Sequence, residues 1–288
     1  MTDQHHDAGA AGPITLGDDL TVNRLGFGAM RITGDGIWGP PGDHDAAIAV
    51  LRRAVESGVD LIDTADSYGP AVSEELIAEA LHPYPEGLVI ATKGGLERPG
   101  PGVWTANGRP EYLRAACDAS LRRLRLDRIP LYQHHRPDPD VPYEESIGAL
   151  VEMAAAGKIA HIGVSNVTVD QLRRAQALAP IVSVQNRFNL GDRNSDAVLD
   201  VCQAEGIAFL PWAPIQNHDE HPALADIATR HGVGARQVVL AWLLARSSAM
   251  LPIPGTGSVA HLDDNIAAAS VVLSAEEIAE LSRSTASS

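Results

Sequence analysis

Aromatic side chains supply only 4% of this chain, and it has no long uninterrupted apolar run. A core poor in rings must be filled by Ala, Val, Leu and Ile. With 45% hydrophobic residues, that composition suits a parallel α/β protein better than an all-β sandwich. No stretch approaches the ~18 apolar residues of a membrane span. Residues 1–12 are polar and lack the apolar centre of a signal peptide, so they read as a disordered tail of a cytoplasmic protein. The two cysteines, Cys117 and Cys202, fall in helix-like stretches and give no disulfide framework. Positive charge is also scarce: 22 Lys and Arg face 37 Asp and Glu, for a net charge of -15. That balance argues against a nucleic-acid surface, which needs clustered cations. The one basic cluster, Arg122, Arg123 and Arg125, reads as a solvated helix end. No metal site is expected, because the loop around Asp138 and Asp140 lacks the glycine and terminal glutamate of a calcium loop.

What the chain does have is repetition of one pattern. After a short hairpin (14–16 and 20–22), strand candidates fall at 24–28, 61–63, 88–92, 130–134, 159–164, 181–185, 207–211 and 250–253. Helical patterns intervene at 45–57, 73–81, 111–124, 143–156, 170–178, 196–205 and 235–246. A further one at 262–269 follows the last strand, and a terminal helix at 274–281 opens on Ser-x-x-Glu. Eight strand–helix units without a change of composition predict a single (β/α)8 TIM barrel over residues 13–288, with an N-terminal hairpin and a C-terminal helix. A doubly wound sheet is the alternative. Its signature is weak, because Gly26-Phe27-Gly28 leads into a Gly/Pro/Trp loop and not into a helix.

In a barrel, chemistry gathers at the C-terminal strand ends. Those ends carry Asp63 with Tyr68 in the following loop, then Lys93, His134-His135, Ser165-Asn166, Gln185, Trp212 and the Gly-rich Pro254–Ser258. A phenol beside a cation can act as an acid, and a carboxylate can keep a buried ammonium charged. Asp63, Lys93 and Tyr68 therefore form one expected unit, with Lys93 lowering the pKa of Tyr68. Alternate residues of a strand face opposite ways, so one of His134 and His135 joins them and the other does not. The bland reading of "IDTADSYGP" is a turn whose aspartate caps the next helix, and it still suits Asp66 and Ser67.

The stretches "IDTADSYG", "VIATKGG", "LYQHHRPD", "HIGVSN", "SVQN", "PWAPI" and "IPGTGSVAHLDDN", in this order and spacing, resemble the aldo-keto reductase family over essentially the whole chain. The entry around Val22–Met30 and the final Gly-rich loop look like the bacterial subgroup that includes pyridoxal reductases. The resemblance implies a catalytic tetrad of Asp63, Tyr68, Lys93 and His135, and a nicotinamide dinucleotide held without a Rossmann motif. It assigns Ser165, Asn166 and Gln185 to the carboxamide and Trp212 to the nicotinamide ring, with Ala213, Pro214 and Ile215 beside it. Gly255, Thr256, Gly257 and Ser258 would cradle the pyrophosphate, while His261, Asp264 and Asn265 would lie toward the adenosine end.

Here the sequence departs from many members, which carry lysine and arginine where Gly255 and His261 stand. NADP(H) is still expected ahead of NAD(H). Trp38 and Trp104, in long loops, are candidates for the substrate pocket, and two indoles would suit an aromatic aldehyde such as pyridoxal. The expected activity is reduction of an aldehyde or ketone, with a small-molecule carbonyl as substrate and a monomer or small homo-oligomer as the assembly. The alternatives are a regulatory nicotinamide-binding barrel with little turnover and a Schiff-base aldolase using Lys93.

Overall fold

Glycine, proline and capping side chains punctuate the chain into short strands and amphipathic helices, which close into a ring. The computed structural model describes residues 6–216 and 221–283. A hairpin of β1 (Pro13–Leu16) and β2 (Leu20–Asn23) precedes the barrel strands β3 (Phe27–Gly28), β4 (Leu61–Asp63) and β5 (Val89–Gly94). A second small hairpin follows, β6 (Leu96–Glu97) with β7 (Thr105–Ala106). The barrel continues with β8 (Ile129–His134), β9 (Ile159–Ser165), β10 (Ile181–Gln185) and β11 (Ala208–Phe209). Seven strands form one parallel sheet in the order β11-β10-β9-β8-β5-β4-β3.

The expected eighth strand at 250–253 is not a regular strand, and prolines are the reason. Met250 makes an isolated parallel bridge to Phe209, and the Leu251 N–H donates to the Phe209 carbonyl at 2.9 Å. On the other side the segment only accepts: Gly26 N–H donates to Pro252 O (2.9 Å) and Gly28 N–H to Pro254 O (3.5 Å). Pro252 and Pro254 have no N–H to return. The segment still spans the gap between β11 and β3, so the sheet closes as a (β/α)8 barrel.

Helices α1 (His44–Glu56), α2 (Val72–Leu81), α3 (Pro110–Leu124), α4 (Tyr143–Ala155), α5 (Val169–Gln176) and α6 (Asp196–Glu205) alternate with the strands. The last four are α7 (Leu224–His231), α8 (Ala235–Arg246), α9 (Val259–Ala267) and α10 (Ala275–Ser282). Starts are capped where the sequence offers a side chain: Asp43 accepts from Ala46 N–H, and Thr168/Gln171 and Ser274/Glu277 form capping boxes. Gly206 ends α6 in the left-handed region at φ 68°, where a Cβ would be strained. Helix α7 was not among the expected elements. Its short "LADIATRH" pattern follows directly on a Pro/His/Asp-rich stretch that reads as loop.

Two apolar layers result. Inside the ring, Leu61, Val89, Ala91, Leu131, Val182, Leu210 and Leu251 pack with Leu16 and Val22 of the first hairpin. That hairpin covers the N-terminal end of the barrel, where Asp19 pairs with His161 near the start of β9 (3.0 Å). Outside, the few aromatics are concentrated: Phe188 stacks on the fully buried Trp242 (centroids 6.0 Å, 7° apart) and meets Phe209 edge-on. The expected tail at 1–12 needs correction. Ala8–Ala11 form a 3-10 turn capped by Asp7, and the buried Ala8 donates its N–H to Ser57 O at 2.9 Å. Residues 1–5, including His5, lie outside the described residues.

Candidate active site

The open, C-terminal end of the ring holds a cavity of about 380 Å³, within the usual size range of ligand pockets. Strand geometry decides which polar side chains reach it. On β8, Gln133 bonds to Asp63 inside the barrel, so two residues on His135 also faces inward and lines the cavity. His134 faces outward, 5.8 Å from the Tyr143 ring, with neither ring nitrogen bonded among the described residues. Burial pushes its pKa down to about 4.

Below the cavity Lys93 is fully buried, and each hydrogen of its ammonium has an acceptor. It donates to Asp63 Oδ2 (2.7 Å), Thr64 O (2.8 Å) and Tyr68 Oη (3.3 Å). Asp63 Oδ1 in turn accepts from Gln133 Nε2 (3.0 Å) and Gln185 Nε2 (2.9 Å). Burial alone would lower the pKa of Lys93, but the adjacent Asp63 charge and hydrogen bonds reverse that, and the net direction is up. A Schiff-base lysine needs a free neutral amine. Lys93 has neither property, which weighs against the aldolase alternative.

The expected lowering of the Tyr68 pKa is not what results. Burial raises it, and the Lys93 charge opposes without overturning that. Tyr68 is therefore a phenol that keeps its proton at neutral pH while facing an ammonium. His135 sits with its ring 5.9 Å from that of Tyr68 and nearly perpendicular, its Nδ1 3.4 Å from Ser67 Oγ. Burial, with the Lys93 and Arg136 charges adding to it, holds its pKa well below the ordinary value, so it is a neutral imidazole.

Ser165, Asn166, Gln185, Trp212, Ala213, Pro214, Ile215 and Gly255 all line the cavity. They are already linked: Ser165 Oγ donates to Gln185 O (2.7 Å), and Trp212 Nε1 donates to Asn166 Oδ1 (3.0 Å). Asn166 and Ala213 hold φ of 59° and 54°, an uncommon conformation for residues other than glycine that clusters at functional sites. Thr256, Gly257, Ser258, His261, Asp264 and Asn265 lie beyond the cavity wall, in the last loop and α9. Gly257, His261 and Asp264 are exposed, whereas Asn265 is buried with an unpartnered Oδ1.

Trp104 lines the cavity, edge-on to Tyr68 at 6.4 Å between centroids. Trp38 does not, contrary to expectation; it bridges Gly69 and lies near the Arg98 guanidinium instead. Asp66 does not cap a helix either. Ala71 is the N-cap residue of α2, and Asp66 is buried with Oδ1 unbonded. Gln133, Arg98, Met30, Arg31 and Arg136 were not expected here. Gln133 had a readable signal, lying on β8 two residues before His135, but Arg98 and Arg136 sit in loops and Met30 and Arg31 in one short 3-10 turn (Ala29–Ile32), none of which has a periodicity to read.

Residues 24–285 match the Aldo/keto reductase family. The chain belongs to that family. This aldo-keto reductase is 48% identical to an uncharacterized oxidoreductase of Schizosaccharomyces pombe, over 96% of this chain and 90% of that one. It is 43% identical to a pyridoxine 4-dehydrogenase of Escherichia coli, over 93% and 96%. Among solved structures, a thermostable aldo-keto reductase in complex with the inhibitor epalrestat superposes with a TM-score of 0.83 at 32% identity, covering 94% of this chain and 98% of that one. An NADPH complex of an aldo-keto reductase from Klebsiella pneumoniae gives 0.80 at 26% identity, covering 94% of each. The enzyme is accordingly a nicotinamide-dependent oxidoreductase that reduces carbonyl groups.

Proposed function

We propose that the enzyme uses NADPH to reduce an aromatic aldehyde of the pyridoxal type, with Tyr68 as proton donor. The observation that carries the reading is a protonated phenol on the cavity wall, 3.3 Å from a fully buried ammonium. When bound, the dinucleotide supplies a hydride to the carbonyl carbon. Tyr68 gives its proton to the carbonyl oxygen, and Lys93, kept charged by Asp63, stabilises the phenolate left behind until solvent returns a proton. The neutral imidazole of His135 offers a hydrogen-bond donor to orient the carbonyl.

The donor set fits a carboxamide-bearing dinucleotide. Ser165, Asn166 and Gln185 offer both donors and acceptors, and Trp212 offers a flat face. The buried Asn265 Oδ1, without a donor among the described residues, supports the reading of α9 as the adenosine end. NADP is favoured by the complexes formed by related structures. Glycine and histidine at 255 and 261, where many members carry lysine and arginine, make parallel titration with NADPH and NADH the deciding measurement.

Trp104 on the cavity wall, edge-on to Tyr68, favours an aromatic substrate, and the E. coli relative is named for the alcohol of the same pair. A phenol with a raised pKa suits the reducing direction at neutral pH. Two buried, unpaired cysteines suit a reducing compartment such as the cytoplasm.

Tyr68→Phe should lower kcat for pyridoxal by about 10²–10⁴-fold, the usual worth of general acid catalysis. NADPH should still quench tryptophan fluorescence with unchanged affinity. Full turnover in that variant would sink the assignment. A panel of aldehydes in which pyridoxal competes poorly would sink the substrate.

A further inference from the structure

Arg98 lies just past β6, only 9% exposed, and makes no ion pair among the described residues. A buried charge without a carboxylate is costly, so its surroundings must satisfy it otherwise. They do so with backbone carbonyls from three loops. Nε donates to Val103 O (3.0 Å), Nη1 to Ile37 O (3.0 Å) and Ser67 O (3.1 Å), and Nη2 approaches Gly36 O (3.3 Å). The guanidinium carbon is 3.6 Å from the Trp104 ring centroid and 5.5 Å from that of Trp38. Two of the four carbonyls have a specific consequence. Ser67 immediately precedes Tyr68, and Val103 immediately precedes Trp104. One rigid fork therefore sets the spacing between the phenol and the indole.

We propose that Arg98 is a positioning residue for the substrate: it locks the first loop, the Tyr68 loop and the Trp104 loop into one wall and fixes the Trp104 edge over Tyr68. This rests on the reading of the cavity as the carbonyl site. It also accounts for Trp38, which lies behind the wall. The first loop is held from the other side as well, because Gly39 N–H donates to Gly69 O at 2.7 Å. A lysine could not replace this device, since its compact ammonium has three donors and cannot stack as a plane on an indole.

Arg98→Met, Arg98→Lys, Trp104→Phe and the Arg98→Met/Trp104→Phe double variant are compared in steady state, with pyridoxal and propanal as substrates. The NADPH affinity of each is read by fluorescence quenching. Arg98→Met should raise KM for pyridoxal about tenfold, the scale of one desolvated cation–π contact. Its KM for propanal and its NADPH affinity should stay within about twofold of the parent. Arg98→Lys should recover only part of the loss. The double variant should be no worse than Trp104→Phe alone, because both changes break the same contact.

An unchanged KM for pyridoxal, a fully additive double variant, or an equal loss for both aldehydes and NADPH would overturn the proposal. If Arg98→Met does not fold, Arg98→Lys decides, and parental behaviour in that variant overturns the proposal equally. Tyr68→Phe separates this inference from the one beneath it. Full turnover there with the Arg98 pattern intact removes the proton donor but not the positioning role.

Discussion

Strand β5 carries two buried ion-pair networks back to back. Lys93 faces the barrel interior and joins Asp63, Gln133, Gln185 and Tyr68. Thr92, its neighbour, faces the helices and donates to Glu74 Oε1 (2.6 Å), whose other oxygen accepts from Arg123 (2.7 Å). Both networks satisfy a buried carboxylate with a cation and a neutral donor. They differ in what lies next to them. The inner one ends on a phenol at a cavity, whereas the outer one ends on Arg123 at the surface between α2 and α3. A buried carboxylate–cation pair therefore does not by itself mark a catalytic centre. What supports the proposed catalytic role of the inner pair is the adjacent group that can exchange a proton with something in the cavity.

That contrast can be tested by breaking each network separately. Lys93→Met should lower kcat by at least about 10²-fold, the lower end for loss of a general acid's partner. Single-turnover reduction followed at saturating NADPH is the measurement. Glu74→Gln should instead lower stability by about 3 kcal/mol, the low end for breaking a buried pair because Arg123 is 21% exposed. Its kcat should stay within about twofold of the parent, checked by denaturant melts and activity on the same sample. Equal loss of turnover in the two variants would erase the distinction between the networks.

An effect of similar size, seen only on acidification, concerns the two histidines, which divide in the same way between inside and outside. His134 has a folded pKa near 4, below its unfolded value, so the unfolded chain binds the extra proton first as pH falls. Its contribution is complete above about pH 6.5 and is lost as pH drops toward 4, amounting to about 3 kcal/mol for the full shift. His134→Phe should flatten the stability–pH curve across that window. His135, shifted in the same direction, leaves a residual slope.

The parts of this molecule that could be read from sequence are those governed by period. Short apolar runs alternating with helical patterns marked nearly every unit, and strand ends marked Asp63, Lys93 and Gln185. The choice between His134 and His135 needed the family resemblance, and the inward side chain of Gln133 now gives its geometric reason. What period does not govern was missed. The strand expected at 250–253 does sit between β11 and β3, but its closure onto β3 through carbonyls alone was not read. Arg98 acts through backbone oxygens of loops distant in sequence, which leave no pattern. Trp38 and Trp104 looked equivalent as loop indoles, and only three-dimensional contact with one guanidinium separates wall from backing. The net rise in the Tyr68 pKa likewise reflects burial, and burial is not written in the motif.

The two prolines at the closing seam also bear on how the chain assembles. Until the last segment docks, the growing sheet has two raw edges, β3 and the stretch that will meet it. An edge that presents both donors and acceptors is a template for pairing with another molecule. Pro252 and Pro254 leave one of those edges with no N–H at alternate positions, so it cannot recruit a stray strand as a partner in full register. The same two prolines that keep this segment from forming a regular ladder thus also deny a stray strand a full set of donors.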